Sequence, residues 1–396
     1  MIDKRLIPEI NIGTLGHVDH GKSSLVEALT GKWPSTHSEE LKRGITIKLG
    51  YADFTVYKCK DHGYSTFPKC LACSEDCEPQ RTISFVDAPG HETLMATVLA
   101  GANLMDGVLF IIAANEKCPQ PQTKEHLMAL NIVGIKNIVI VQTKIDLVSK
   151  EEALENYKQI KEFVKGTVAE NSPIIPVSAK QKINLGHLLE IMEKNIQTPH
   201  RDLTKPARML VVRSFDVNKP GTQIEKLRGG VFGGTLVQGQ FKINDELEIR
   251  PGIELKGKWQ PMKTKIVGLQ KAGKDLEEAG PGGLLGVLTL LDPSFTKADS
   301  LAGSIIGNNL PSILSVINID IHLFEKLEKE RVEPIKQDES LMLNVGTSRT
   351  LGIVKSIKKT VELELKIPIA ADIGSRVAIS RRIADRWRLI GWGVIK

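Results

Sequence analysis

The chain has 396 residues, of which 41% are hydrophobic and 25% charged, the balance of a globular protein rather than a disordered or fibrous one. No apolar run of about eighteen residues appears and Met1 to Glu9 lacks a signal peptide's apolar stretch, which sets the expectation of a cytoplasmic protein with no membrane partner. A net charge of +6 permits a polyanionic partner without demanding one, and the length calls for two or three domains.

The first apolar run, Ile10 to Leu15, reads as a strand and leads into Gly16-His17-Val18-Asp19-His20-Gly21-Lys22-Ser23, before a helix-like stretch from Ser24 to Leu29. Glycines at 16 and 21 let backbone N–H groups turn inward around an anion, and the helix adds its positive dipole end. In such a loop Lys22 reaches the β- and γ-phosphates and the Ser23 hydroxyl ligates Mg²⁺. Asp19, His20, Gly21 and Ser24 fall in the same expected nucleotide-binding set. Next, Arg43-Gly44-Ile45-Thr46-Ile47 offers the Thr46 hydroxyl in a segment expected to order around Mg²⁺ and the γ-phosphate.

Four of the five cysteines, Cys59, Cys70, Cys73 and Cys77, then fall within nineteen residues, a clustering that in a reducing compartment points to metal rather than disulfides. Cys59-Lys-Asp-His62 and Cys70-Leu-Ala-Cys73 form two pairs, each separated by two residues, the spacing of a zinc knuckle. Cys77 is a rival for the fourth position. Four protein ligands leave no place for water, so the zinc is expected to be structural.

Downstream, the strand Ile83 to Val86 ends in Asp87-Ala88-Pro89-Gly90-His91. There a carboxylate can hold Mg²⁺ through water and Gly90 can offer its N–H to a γ-phosphate. A helix is expected over His91 to Leu104, a strand over Val108 to Ala113 and a helix over Thr123 to Val133. The strand Ile138 to Gln142 leads into Thr143-Lys144-Ile145-Asp146. The Asp146 carboxylate can accept from guanine N1–H and N2–H₂, a pair adenine lacks, which favours GTP over ATP. After a helix over Lys150 to Val164 and a strand over Ile174 to Val177, Ser178-Ala179-Lys180 places the Ala179 N–H to meet guanine O6. A helix over Leu185 to Asn195 closes this half. Near-continuous apolar strands separated by helices imply a mostly parallel, doubly wound sheet with the site at its strand ends.

Past Thr198-Pro199-His200 the pattern shifts to short alternating runs (Met209 to Val212, Leu247 to Ile249, Val316 to His322, Leu341 to Asn344, Arg376 to Ile379) punctuated by Gly and Pro. These read as antiparallel β-barrels or sandwiches, with a break near Asn308 to Pro311. The expected division is a GTP-binding domain over 1–203 with a knuckle insertion at about 57–79, then all-β domains over 204–310 and 311–396. Near the C-terminus, Ser380-Arg381-Arg382-Ile383-Ala384-Asp385-Arg386-Trp387-Arg388 could contact phosphates, though a solvated surface explains so short a run better.

The wording Gly-His-Val-Asp-His-Gly-Lys-Ser with Asp-Ala-Pro-Gly-His resembles that of the translational GTPases. Among them the chain is most similar to the gamma-subunit family of eukaryotic and archaeal translation initiation factor 2. Gly90 to Thr97, Asn115 to Thr123 and Trp387 to Gly393 are the most specific stretches. The resemblance implies a GTPase domain followed by two β-barrels, GTP and GDP as nucleotides, and His91 as the residue that positions the attacking water. It also implies a second Mg²⁺ site at Asp19 and the Gly44 carbonyl. The family's knuckle generally carries four cysteines, so His62 would be a substituted ligand. Expected partners are methionyl initiator tRNA, alpha and beta subunits of a heterotrimer, and the small ribosomal subunit. Elongation factors for aminoacyl- or selenocysteinyl-tRNA, and the GTPase subunit of sulfate activation, are the competing readings. One position departs: Thr143 stands where the family usually has the Asn that ties the base edge to the phosphate loop.

Overall fold

The computed structural model describes residues 3–34, 49–91, 94–327, 330–384 and 386–396, and the chain divides into two compact units, Met1–His200 and Arg201–Lys396. In the first unit the strands are β1 (Pro8–Gly16), β2 (Gly50–Cys59), β3 (Gly63–Ser65), β4 (Glu78–Asp87), β5 (Gly107–Ala113), β6 (Ile138–Thr143) and β7 (Ile174–Pro176). They form one sheet in the order β3-β2-β4-β1-β5-β6-β7.

The pairs β1–β4, β1–β5, β5–β6 and β6–β7 are parallel, and these strands are near-continuous apolar runs because helices cover both their faces. By contrast, β2 runs antiparallel to β4 and pairs with β3 as a hairpin, so the sheet is mixed. The alternating burial of β2 is the period-two signature of a strand with only one face in the core.

The helices are α1 (Lys22–Thr30), α2 (Met95–Ala102), α3 (Pro121–Val133), α4 (Lys150–Val164) and α5 (Leu185–Asn195). Each has a local reason to begin or end where it does. Gly31 closes α1 in the left-handed region with its N–H on the Glu27 carbonyl, and Pro121 opens α3 at a position where no N–H is needed. Ser149 and Glu152 cap α4 reciprocally. The helix expected from His91 begins only at Met95, because a turn closed by the Leu94 N–H on the His91 carbonyl comes first.

Leu25, Val26 and Leu29 of α1 and Leu188, Leu189 and Met192 of α5 pack into one buried cluster with Ile10, Ile12, Phe85, Leu109 and Val139 of the sheet. Within it Phe54 and Phe85 stack at 5.1 Å between ring centroids. β1 lies between β4 and β5, so the chain leaves it in opposite directions on its two sides. Ligands of such sheets bind at this switch point, off the carboxyl ends of the strands.

The second unit is all β. Strands Glu246–Leu255, Ile305–Gly307, Arg208–Phe215, Val231–Gln238, Leu285–Thr289 and Lys258–Lys271 pair in that order, and the last returns to the first to close a barrel. A second closed barrel runs Ile313–Leu323, Val361–Ala370, Ser348–Ile357, Ser340–Val345, Arg376–Ile383 and Arg386–Ile395. Each has its own apolar core, Phe232, Phe241 and Ile249 in one and Ile319, Leu343 and Ile390 in the other.

Candidate functional site

Register builds the site. Thr14 of β1 lies beside Asp87 of β4, Gly16 beside Ile111 of β5, and Ala113 beside Thr143 of β6, so three strand ends converge on the loop between β1 and α1. That loop passes through Asp19 and Gly21, both in the left-handed region, and delivers Lys22 as the first helical residue. A Cβ on Gly16 would run into the Ile111 carbonyl, and one on Gly90 would sit 2.5 Å from Lys22 Nζ and 2.9 Å from the Val18 amide nitrogen. Both positions require glycine because backbone approaches too closely for a side chain.

Asp87 is fully buried, and two hydroxyls hold its carboxylate: Thr14 Oγ1 donates at 2.5 Å and Ser23 Oγ at 2.6 Å. Lys22 is 6% exposed, and its Nζ donates to the carbonyls of Gly16 at 3.1 Å and His17 at 2.7 Å. Burial pulls its ammonium down to about 8 against the opposing pull of Asp87 and Asp19. A charge poised this way gains from an anionic phosphate that restores its solvation. The oxygens of Ser23 and Asp87 form a hard donor set of the kind Mg²⁺ prefers.

The His20 ring is buried between the Ile111 carbonyl, 3.2 Å from Nδ1, and the Glu116 carboxylate, 3.4 Å from Nε2, and burial draws it down to about 4. Thr143 Oγ1 donates to the backbone carbonyl of His20 at 2.7 Å. The shorter residue therefore still ties β6 to the phosphate loop, through a single hydroxyl. Lys144 takes the left-handed conformation, and Asp146 follows, exposed, in the short turn Ile145–Leu147. Ser178 is buried and begins a tight turn: it pairs with Ile183, and its Oγ accepts the Gln181 N–H at 3.1 Å, which leaves Ala179 and Lys180 at the tip. Asp19, Ser24 and His91 are exposed, with His91 preceding α2. Thr46 and Gly44, expected at the first and second Mg²⁺ positions, lie outside the described residues.

Sequence reasoning did not single out His126. It is fully buried on α3, its Nδ1 accepts the Gly16 N–H at 2.9 Å, and desolvation, reinforced by Lys22, His17 and His20, pushes its pKa down to about 3. A histidine inside an amphipathic helix carries no motif. Only the pairing of β1 with β5 brings it beneath the loop. Thr14, which shares Asp87 with Ser23, was hidden for the same reason.

In the hairpin region, one ligand atom from each of Cys59, His62, Cys70 and Cys73 lies within 4.8 Å of the other three. Backbone N–H groups of Asp61 and His62 bond the Cys59 sulfur, and those of Cys73 and Ala72 bond the Cys70 sulfur, lowering both thiols below their usual values. Amides folded back onto the first sulfur of each pair are what a knuckle turn supplies. Cys77 packs against this cluster without joining the mutually close donors, and burial raises its thiol. Cys118 is buried and pushed up to about 12, an inert thiol.

Comparison with known proteins bears on the whole chain. Residues 8–198 match the family described as Elongation factor Tu GTP binding domain, and residues 315–395 the family Initiation factor eIF2 gamma, C terminal. Translation initiation factor 2 subunit gamma of Methanothermobacter thermautotrophicus is 57% identical, covering 98% of this chain and 99% of the relative. The subunit of the same name from Archaeoglobus fulgidus is 56% identical, covering 98% of this chain and 95% of the relative. Among solved structures, a bacterial selenocysteine-specific elongation factor EF-Sec superposes with TM-score 0.76 at 23% identity, covering 98% of this chain but only 58% of that one. Translation elongation factor SelB from Methanococcus maripaludis, in complex with the GTP analogue GppNHp, gives 0.73 at 24%, covering 100% of this chain and 80% of that one. At that identity the structural likeness speaks for the fold alone.

Replacing Thr143 by Val removes the only hydroxyl on the His20 carbonyl among the described residues and should weaken guanine-nucleotide binding by about 1–2 kcal/mol, roughly five- to thirty-fold, in a calorimetric titration. Because the folded pKa of His126 is about 3 against an ordinary 6.5, the unfolded chain takes up a proton first as pH falls. Stability of the first unit should therefore decline below pH 6.5, by on the order of 1 kcal/mol per pH unit from this histidine, and urea melts between pH 6.5 and 5 should be less steep in pH for His126→Leu.

Proposed function

The chain belongs to the translation initiation factor 2 gamma-subunit family, and from that premise we propose that it carries methionyl initiator tRNA to the small ribosomal subunit in a GTP-dependent cycle. It is a GTP-dependent initiation factor subunit and a GTPase. The meeting of Ser23, Asp87 and Lys22 at the end of β1 is the observation that carries the nucleotide reading. Among the described residues no helix is long and apolar enough to cross a membrane.

In this reading the loop amides from Asp19 to Ser24 and the Lys22 ammonium hold the phosphates. Ser23 and Asp87 would hold Mg²⁺, Asp87 through water; bound Mg²⁺ neutralises phosphate charge. Asp146 accepts from the guanine edge, with Lys144 beside it in the same turn, and the Ala179 N–H, set by Ser178 and flanked by Lys180, meets O6. Thr143 braces the base side against the phosphate side through His20. Gly90 offers its N–H to the γ-phosphate, and its close approach to Val18 and Lys22 makes this strand end sensitive to what the loop holds. His91, next in sequence, orients the attacking water. Loss of the γ-phosphate then releases Gly90 and His91, lowers tRNA affinity and frees the factor.

Cys59, His62, Cys70 and Cys73 would hold Zn²⁺ as a closed structural site. The alpha and beta subunits complete the heterotrimer, and the three domains 1–203, 204–310 and 311–396 act as its core. The competing elongation-factor reading has the fold in its favour, whereas identity above 50% lies with the gamma subunits.

In a pull-down, the full chain assembled with its alpha and beta subunits should retain initiator tRNA with a non-hydrolysable GTP analogue and lose it with GDP. Equal retention with both would contradict the switch. Metal analysis of the purified chain should find one Zn²⁺ per molecule, released on replacing Cys59 and Cys70 by Ser; a folded protein purified without zinc would remove the knuckle.

A further inference from the structure

Gly16 is where β1 ends and the phosphate loop begins, and side chains occupy both of its backbone polar groups. Its carbonyl accepts from Lys22 Nζ at 3.1 Å, and its N–H donates to His126 Nδ1 at 2.9 Å. The first side chain comes from α1 and the second from α3. The imidazole is fully buried, and its other nitrogen, Nε2, has no partner among the described residues. Because Nδ1 accepts, Nε2 carries the ring proton, so the fold keeps a buried donor with no acceptor among the described residues. A leucine at 126 would fill a similar volume with no such donor, so packing does not account for the histidine. What the imidazole brings that leucine cannot is the acceptor for Gly16.

We propose that His126 is a positioning residue for nucleotide binding: by taking the Gly16 N–H it fixes the direction in which the phosphate loop leaves β1. The amides that follow, and the Lys22 ammonium anchored on the same residue, are thereby pre-set for an anionic phosphate chain. The inference rests on the loop being a guanine-nucleotide site and adds α3 to the elements that set its affinity. α3 packs against both β1 and α2, the helix that follows His91, so the bond also joins the phosphate loop to the helix just beyond Gly90 and His91.

The test compares the full chain with His126→Leu, which removes the acceptor, and His126→Asn, whose Oδ1 stands where Nδ1 stood. Dissociation of a fluorescent N-methylanthraniloyl GDP is followed by stopped flow, with the melting temperature of each protein as a control. The Leu variant should release the nucleotide roughly ten-fold faster, and its melting temperature should fall by no more than the few degrees that one orphaned amide costs. The Asn variant should stay within about two-fold of the parent. Parent-like dissociation from the Leu variant, or equally fast loss from both variants, would overturn the role.

Imidazole ¹⁵N shifts in the unmodified protein decide independently of whether a variant folds. A bare Nδ1 with a protonated Nε2 at pH 7 supports the bond, and a protonated Nδ1 refutes it. If the unmodified chain binds no guanine nucleotide, the nucleotide reading fails, and the shifts still decide what His126 does to Gly16.

Discussion

The Asp87 carboxylate is the group on which the rest of the site depends. It is fully buried at the end of β4, a place that costs a charged group heavily unless it is bonded, and two hydroxyls do that: Thr14 from β1 and Ser23 from α1. One atom set thereby fastens the strand before the phosphate loop, the helix after it and the strand that leads to Gly90 and His91. The parallel register of β1 with β4 is what makes the meeting possible, and the apolar layer of Ile10, Ile12, Ile83 and Phe85 below it keeps the register from slipping. In the proposed nucleotide complex this shared carboxylate is the route by which a change at the phosphates reaches Gly90.

Around this centre side chains brace the loop, beside one long backbone bond of its own from the His20 N–H to the His17 carbonyl. Lys22 spans the carbonyls of Gly16 and His17, Thr143 holds the carbonyl of His20, and His126 holds the amide of Gly16. The loop is thus braced from α1, β6 and α3, which leaves its remaining amides to a ligand. Thr143 shows how a residue shorter than Asn can hold the loop through a single hydroxyl.

Much of this was legible in the sequence because the chemistry is local. The phosphate loop, Asp87-Ala88-Pro89-Gly90-His91 and Thr143-Lys144-Ile145-Asp146 each follow an apolar strand, and each lies at the strand end the motif requires. Cys59, His62, Cys70 and Cys73 come together as their spacing implied. What stayed hidden depends on contacts between distant segments. His126 and Gly16 are 110 residues apart, and Thr14 and Asp87 are 73 apart. Strand β2 escaped because one face only is apolar, so its signal is alternation rather than a run. In the barrels, strands such as Lys258–Lys271 are rich in exposed lysine, and nothing in their composition marks a strand until closure pairs them.

The central claim is that these strand ends form a guanine-specific phosphate site, and exchanging the base tests it most directly. The unmodified chain, titrated calorimetrically with Mg²⁺ present, should bind GTP far more tightly than XTP or ATP. Asp146→Asn should reverse the order of GTP and XTP, because the amide presents a donor where the carboxylate accepted. A variant that still prefers GTP, or an unmodified chain that binds ATP equally well, would contradict it.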